Sequence, residues 1–413
     1  MRRSLSLLHA TSGTLPLLIL MFIFGPADER LFAQATVPPS ALVGEYQETR
    51  YRFENDGTGQ TVQRVQDPIM TQAEADGFGK LCLYSASETS TLRIDFLRVR
   101  KNDGRVLDAD MTQVYGVVTA ASKAGPALGN RKFTCTKVPD LQAGDVVEFQ
   151  STETITTPLI PGHFWVIHYD NQDLVVRSEI VSLDVPAART LALKALNSAK
   201  YQVTENGGRR IFRWEVSNSQ PRKPEAGPQP PLFSASTLTD WKQVGDWYLG
   251  LQSGRIKATP EIAELAAKLT AGKTTAREKL NAIYQYVSES IGYMGISFAS
   301  GGFEMHAADE VLHRGYGDCK DKQVLLASLL AASGLEAYPA LINSERGVIE
   351  PEIPMPIQFD HLISAVPLEG ELVWVDPTIE FSPSRMILPA LRGKQTLLMQ
   401  PWAIRLTVIP AEQ

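Results

Sequence analysis

From about residue 44 to 216, apolar and polar residues alternate with period two between clusters of turn residues, which predicts β-strands. "TRYRFENDGTGQTVQRVQ" reads as a hairpin turning at Asn55-Asp56-Gly57, and "TLRIDFLRVRKNDGRVLDAD" repeats the design at Asn102-Asp103-Gly104. "GDVVEFQSTETIT", "FWVIHY", "LVVRSEIVSLDVP" and "RRIFRWEVSN" continue the alternation. Short, closely spaced strands with little helical periodicity predict an all-β, sandwich-like domain over 44–216. Next comes "SNSQPRKPEAGPQPP", Ser217 to Pro231, with five prolines and no periodicity. It reads as a semi-rigid, extended linker.

Beyond the linker, over 232–400, the period changes. "STLTDWKQVGDWYLGLQSG" spaces Trp241, Val244, Tyr248 and Leu251 along one helical face. "ATPEIAELAAKLTAG" offers Thr259 as a cap, Pro260 at the first helical position and Gly272 as a stop. "TTAREKLNAIYQYVSESIGYM" places Leu280, Ile283, Tyr284 and Val287 on the apolar side of a third helix. "GDCKDKQVLLASLLAASG" begins a fourth, with Asp318 as cap, Val324, Leu325, Leu329 and Leu330 as buried face, and Gly334 at its end. The strands "FDHLISAVPL" and "ELVWVDPT" follow. Helices first and strands later within one domain predict an α+β fold.

Composition narrows the class. With 413 residues, 44% hydrophobic and 21% charged, the chain has the makeup of a multidomain globular protein. A net charge of -6 and a pI of about 5.7 leave no basic field for nucleic acid. At the N-terminus, Arg2 and Arg3 precede "LPLLILMFIF", Leu15 to Phe24. This apolar run is too short for a span of roughly 20 residues and suits the core of a secretory signal. Ala33 and Ala35 in "FAQA" predict cleavage after Ala35, hence a signal peptide over 1–35 and a periplasmic or secreted protein without a stable membrane span. An uncleaved N-terminal anchor is the alternative, since Asp28, Glu29 and Arg30 lengthen the region before the cleavage site.

The chain has three cysteines. Cys82 and Cys135 lie in strand-like sequence; either they pair, leaving Cys319 free, or both are reduced core residues. Cys319 stands among charged residues, at what reads as the wet edge of its helix. A thiol at a helix N-terminus meets unpaired N–H groups and the positive end of the dipole, both of which favour the thiolate. Lys320 and Lys322 act in the same sense and Asp318 and Asp321 against it. A boundary cysteine without chemistry is the plainer reading of this position alone.

A nucleophilic cysteine needs a histidine, and that histidine an orienting acceptor. His361 lies in a strand. If Glu369-Gly370 forms a two-residue turn, Leu368 pairs with Glu371 and Ile363 falls opposite Asp376. His361 is then one diagonal step from Asp376 on the same face, within hydrogen-bonding reach. Asp376 is equally well placed to start a turn before Pro377. His306, His313 and Cys319 match no zinc spacing, and His306 and His313 fit one face of a short helix, "HAADEVLH". His163 and His168 point to opposite faces of a strand.

"GYGDCKDK", "FDHLISAV" and "WVDPT", in this order, resemble the three motifs of the transglutaminase-like branch of the papain-like cysteine protease fold, over roughly 235–400. "RVRKNDGRVL", "VPDLQAGDVVEF" and "FRWEVSN" resemble a β-rich domain of unknown function that precedes such domains in exported bacterial proteins. The resemblance departs where relatives carry an aromatic residue two positions after the histidine; here Ile363 stands there. It implies a multidomain chain, an all-β sandwich-like domain and then an α+β transglutaminase-like domain, catalysing thiol acyl transfer on peptide or protein amides. Cys319 would be nucleophile, His361 base and Asp376 its orienter, with the backbone N–H of Cys319 as one oxyanion donor and Tyr293 as candidate for the second. Neither cofactor nor metal is implied. The alternative is a non-catalytic envelope module that keeps the fold to bind peptides or to scaffold.

Overall fold

The computed structural model describes residues 43–411, apart from 87–88, 119–130, 172–174, 198, 219–229, 296–301, 346–348 and 381–386. The expected signal peptide and its cleavage after Ala35 lie outside the described residues, as does most of the 217–231 linker. Among the described residues, no helix is long and apolar enough to cross a membrane.

The N-terminal half is built on one eight-stranded sheet. Its spatial order is Tyr201–Asn206, Arg209–Val216, Glu179–Pro186, Tyr46–Phe53, Gly59–Pro68, Val146–Ile155, Ser90–Arg100 and Val106–Asp108. Both expected hairpins form, with Phe53 opposite Gly59 and Arg100 opposite Val106. Glu179–Pro186 runs parallel to Tyr46–Phe53; its other neighbour is antiparallel. Two small sheets cover the apolar positions that the alternation leaves on the large one. Lys80–Ala86, Arg131–Lys137 and Tyr115–Val118 form the first, sharing a core of Val65, Leu81, Leu83, Leu97, Val147 and Phe149. Within it Cys82 faces Cys135 across the antiparallel ladder, and the two form a disulfide, leaving Cys319 as the free cysteine. The second consists of Trp165–His168, Phe233–Ser236 and Ala192–Ala195, with Phe53, Phe164, Val181, Trp214 and Phe233 in its core. Phe233–Ser236 thus lies beyond the proline-rich segment in sequence, yet pairs on both sides with strands from before it. Here a buried polar chain forms that the alternation did not reveal: Tyr51 Oη lies 2.9 Å from His168 Nδ1, and His168 Nε2 lies 3.1 Å from Glu179 Oε1.

Six helices are present among the described residues: α1 (Gln72–Gly77), α2 (Trp241–Gln252), α3 (Pro260–Thr270), α4 (Ala276–Ser290), α5 (Ala308–Arg314) and α6 (Cys319–Ala332). Thr259 caps α3, with Pro260 at its first position, and Thr275 and Glu278 form a capping box on α4. His306 lies outside the short α5 rather than on it. The C-terminal sheet has the order Glu371–Val375, His361–Leu368, Tyr338–Ile342, Gln395–Gln400, Ala403–Val408, antiparallel throughout. Helix α6 runs through the middle of the domain against α3, α4, α5 and the His361 strand. Its residues from Cys319 to Leu330 are all buried, not one apolar face as its pattern suggests. Each fully buried leucine contributes roughly 1.5–3 kcal/mol, so this helix anchors the domain core.

Candidate active site

Asp318 caps α6. Its Oδ1 accepts from Lys320 N (2.9 Å) and Asp321 N (3.2 Å), while Asp321 reaches back to Asp318 N (3.3 Å). These bonds leave the N–H of Cys319 without a partner among the described residues. The expected wet edge is absent: Asp318, Cys319, Lys320, Asp321 and Lys322 are all buried, because the first turn of a central helix has other elements on every side. The charges are therefore matched individually. Lys320 Nζ lies 2.5 Å from Asp318 Oδ2. Lys322 Nζ donates to the carbonyls of Ser288 (3.3 Å) and Ile291 (2.7 Å), satisfying the open C-terminal end of α4. Burial pulls its ammonium down to about 8. Asp321 also accepts from the backbone N of His306 at 2.9 Å and lies 3.1 Å from its Nδ1. That hydrogen bond, ahead of an opposing burial effect, raises the His306 imidazole above its ordinary value. His313 is elsewhere, 3.3 Å from Glu261. Among the described residues no group of three or more His, Cys, Asp or Glu side chains is arranged so that it could hold a metal ion.

The hairpin turns at Glu369 and Gly370, with φ of 55° and 87°. Both residues are left-handed, the conformation a two-residue turn needs to match strand twist. Leu368 pairs with Glu371 and Ser364 with Val375, so the next step places Ile363 opposite Asp376. His361 Nε2 is 2.8 Å from Asp376 Oδ2. Asp376 Oδ1 accepts from Thr378 N (3.0 Å) and Thr378 Oγ1 (2.6 Å), so this aspartate both starts a turn and meets the histidine. Tyr284 Oη donates to its carbonyl at 2.9 Å. Burial opposes ionisation of Asp376, but His361 and Thr378 outweigh it and hold the carboxyl below its usual range. Burial likewise disfavours the His361 imidazolium, yet Asp376 and then the neighbouring Cys319 thiol raise it well above its ordinary value.

Cys319, His361 and Asp376 are thus side by side at the junction of α6 and the sheet. With Nε2 turned to Asp376, Nδ1 is the imidazole nitrogen left for the thiol. Tyr293 completes the rim. Gly292–Tyr293 pairs in parallel with Tyr316–Gly317, two residues before the cysteine. Its phenol is pushed up by burial and then by negative charge on Cys319 and Asp376, while the residue stays 39% exposed. The supporting roles of Thr378, Lys322 and His306 escaped sequence reasoning. The Asp-Pro-Thr order was a usable signal for Thr378; nothing local marks the other two.

The model of a domain of unknown function with solved structure, DUF3857, matches residues 55–223, and that of the transglutaminase-like superfamily matches 263–341. The second match includes Cys319, while His361 and Asp376 lie beyond it. No curated protein matches the chain. A crystal structure of a candidate protease from Parabacteroides distasonis is 18% identical, with 90% of this chain and 72% of that one covered and a TM-score of 0.72; the two share a fold. A candidate cysteine protease from Cytophaga hutchinsonii is 10% identical over 79% of this chain and 78% of its own, with a TM-score of 0.24, too low to support an argument. The chain is a multidomain protein in which a β-rich domain of unknown function is followed by a transglutaminase-like domain.

Proposed function

We propose that the chain is an exported thiol acyl-transfer enzyme acting on peptide or protein amides. The contact of His361 with Asp376 at 2.8 Å, with the Cys319 thiol near enough to influence the imidazole, carries this reading. Sγ of Cys319 adds to the amide carbonyl carbon after its proton passes to His361. The oxyanion is met by the Cys319 N–H, with Tyr293 Oη as second donor. The C–N bond then breaks, His361 protonates the leaving amine, and a thioester remains. Attack by water makes the enzyme a hydrolase; attack by an amine makes it a transferase. The Cys82–Cys135 disulfide supports export, since such bonds persist in oxidising compartments. The proposed organisation is a signal peptide over 1–35, a sandwich-like domain over 44–216, a linker over 217–231 and a catalytic domain over 232–400, amended at both ends: Phe233–Ser236 joins the N-terminal sheets and Ala403–Val408 completes the C-terminal one.

Alkylation by iodoacetamide tests the nucleophile. Cys319 should react faster at neutral pH than a model thiol, and His361→Ala should remove that advantage. Equal rates in all three would end the proposal. One observation favours the non-catalytic peptide-binding or scaffolding reading: Cys319 is only 1% exposed. Full complementation of a deletion strain by Cys319→Ala would decide for it.

A further inference from the structure

Residues 350–358, between the strand Tyr338–Ile342 and the strand carrying His361, leave their own domain to lie on the N-terminal one. Ile353 and Met355 are 2% and 0% exposed and share a core with Ile167, among Trp165, Tyr169 and Ala192. Ser236, itself fully buried, donates to the Pro354 carbonyl at 2.6 Å. Lys194 pairs with Glu350 and lies 3.6 Å from Glu352. All of these partners belong to the small sheet of Trp165–His168, Phe233–Ser236 and Ala192–Ala195 or its immediate neighbours.

The same segment is stiff and leads directly to the histidine. Gln358 Nε2 donates to the carbonyls of Ile353 (2.6 Å) and Glu350 (3.2 Å), and its Oε1 accepts from Glu350 N (2.6 Å), closing the segment on itself. Pro356–Gln358 is a 3-10 turn. Phe359 meets Trp241 edge-on, with ring centroids 5.5 Å apart, and Trp241 Nε1 donates to the Pro351 carbonyl at 2.9 Å. Asp360 N donates to Ile342 O at 3.2 Å, and His361 is the next residue. From Met355 to His361 the chain is therefore short and held at both ends, by the N-terminal small sheet at Met355 and by Trp241 and the Tyr338–Ile342 strand of its own domain at Phe359 to His361.

We infer that the N-terminal domain is part of the catalytic unit: its small sheet grips residues 350–358 and so sets the position of His361 against Cys319. Met355 and Ser236 are positioning residues in this arrangement. The inference rests on the acyl-transfer reading above, in which an imidazole misplaced by about 1 Å is costly.

The test measures iodoacetamide alkylation of Cys319 in the full chain between pH 5 and 9, with a thermal melt of each variant. Met355→Ala should slow alkylation at neutral pH roughly fivefold or more and shift the pH profile towards that of His361→Ala, because the base loses its alignment. Met355→Leu, which refills the space, should restore it. Ser236→Ala removes two hydrogen bonds, the one to the Pro354 carbonyl and the one accepted from Leu238 N, but little bulk, and should slow the reaction about two- to threefold. Leu83→Ala opens a comparable cavity in the distant core beside the disulfide; it should lower Tm and leave the rate unchanged. A folded Met355→Ala or Ser236→Ala protein reacting at the parent rate overturns the inference, as does an equal slowing by Leu83→Ala. If His361→Ala itself alkylates like the parent, the acyl-transfer reading has failed and this inference falls with it.

Discussion

Lys320 and Lys322 are two residues apart on α6, and burial gives each a different partner: a carboxylate for one, helix-end carbonyls for the other. Neither is a free charge beside the thiol. Removing one partner of such a buried pair costs about 3–5 kcal/mol, so these side chains belong to the architecture of the site. Tyr293 differs in being half exposed at the rim. Tyr293→Phe should slow acylation by p-nitrophenyl acetate about a hundredfold, because that reaction passes through an oxyanion. Alkylation by iodoacetamide, which forms no oxyanion, should proceed at the parent rate, and a matched loss in both assays excludes the donor role. Asp67 shows burial acting on a lone carboxyl, 2% exposed. Desolvation, reinforced by the negative charges of Glu45 and Glu74, pushes it up to about 8. Because this lies above the unfolded value, the folded chain keeps an extra proton between roughly pH 4 and pH 8, and its contribution to stability is lost as pH rises through that window. Asp67→Asn should therefore raise Tm, and by more at pH 8 than at pH 5; an equal gain at both would show that Asp67 does not titrate this way.

The elements that form the site are specified largely by short-range rules. The α6 cap depends on Asp318 and Asp321 in register, the hairpin on its two-residue turn, and both were legible in the order of residues. Gly317 is the tight point at the cap, since a Cβ there would stand 2.5 Å from Asp321 Cβ and 2.9 Å from its Oδ2. Gly317→Ala should displace the Asp321 carboxylate, with a loss of about 1–2 kcal/mol from the broken capping box. A chemical melt reads the loss, and a variant as stable as the parent would mean the cap adjusts without cost. What the pattern of α6 did not convey is its depth. Amphipathic spacing predicts one buried face, but a helix surrounded by α3, α4, α5 and a sheet buries every side, charges included.

At the scale of the molecule, the N-terminal half is two cores under one long sheet, and one of them holds the Cys82–Cys135 disulfide. Its loop spans a sequence separation of 53, for which the chain-entropy account gives about 4 kcal/mol. Cys82→Ala with Cys135→Ala should lower the melting of this half by an amount of that order and leave Cys319 alkylation at the parent rate, because the core beside the disulfide has no residue in common with the grip on residues 350–358. A slowed alkylation would instead reveal coupling through the whole sheet.

Period-two alternation, hairpin turns, helix caps and the His361–Asp376 register all depend on neighbours within about fifteen residues, and the order of amino acids is enough to read them. The return of Phe233–Ser236 to the N-terminal sheets, the burial of Lys320 and Lys322, the Tyr51–His168–Glu179 chain and the docking of residues 350–358 rest on contacts between segments tens to more than a hundred residues apart. Such contacts are selected by which apolar surfaces remain uncovered once the local elements exist, and that is decided only when the chain is closed in three dimensions.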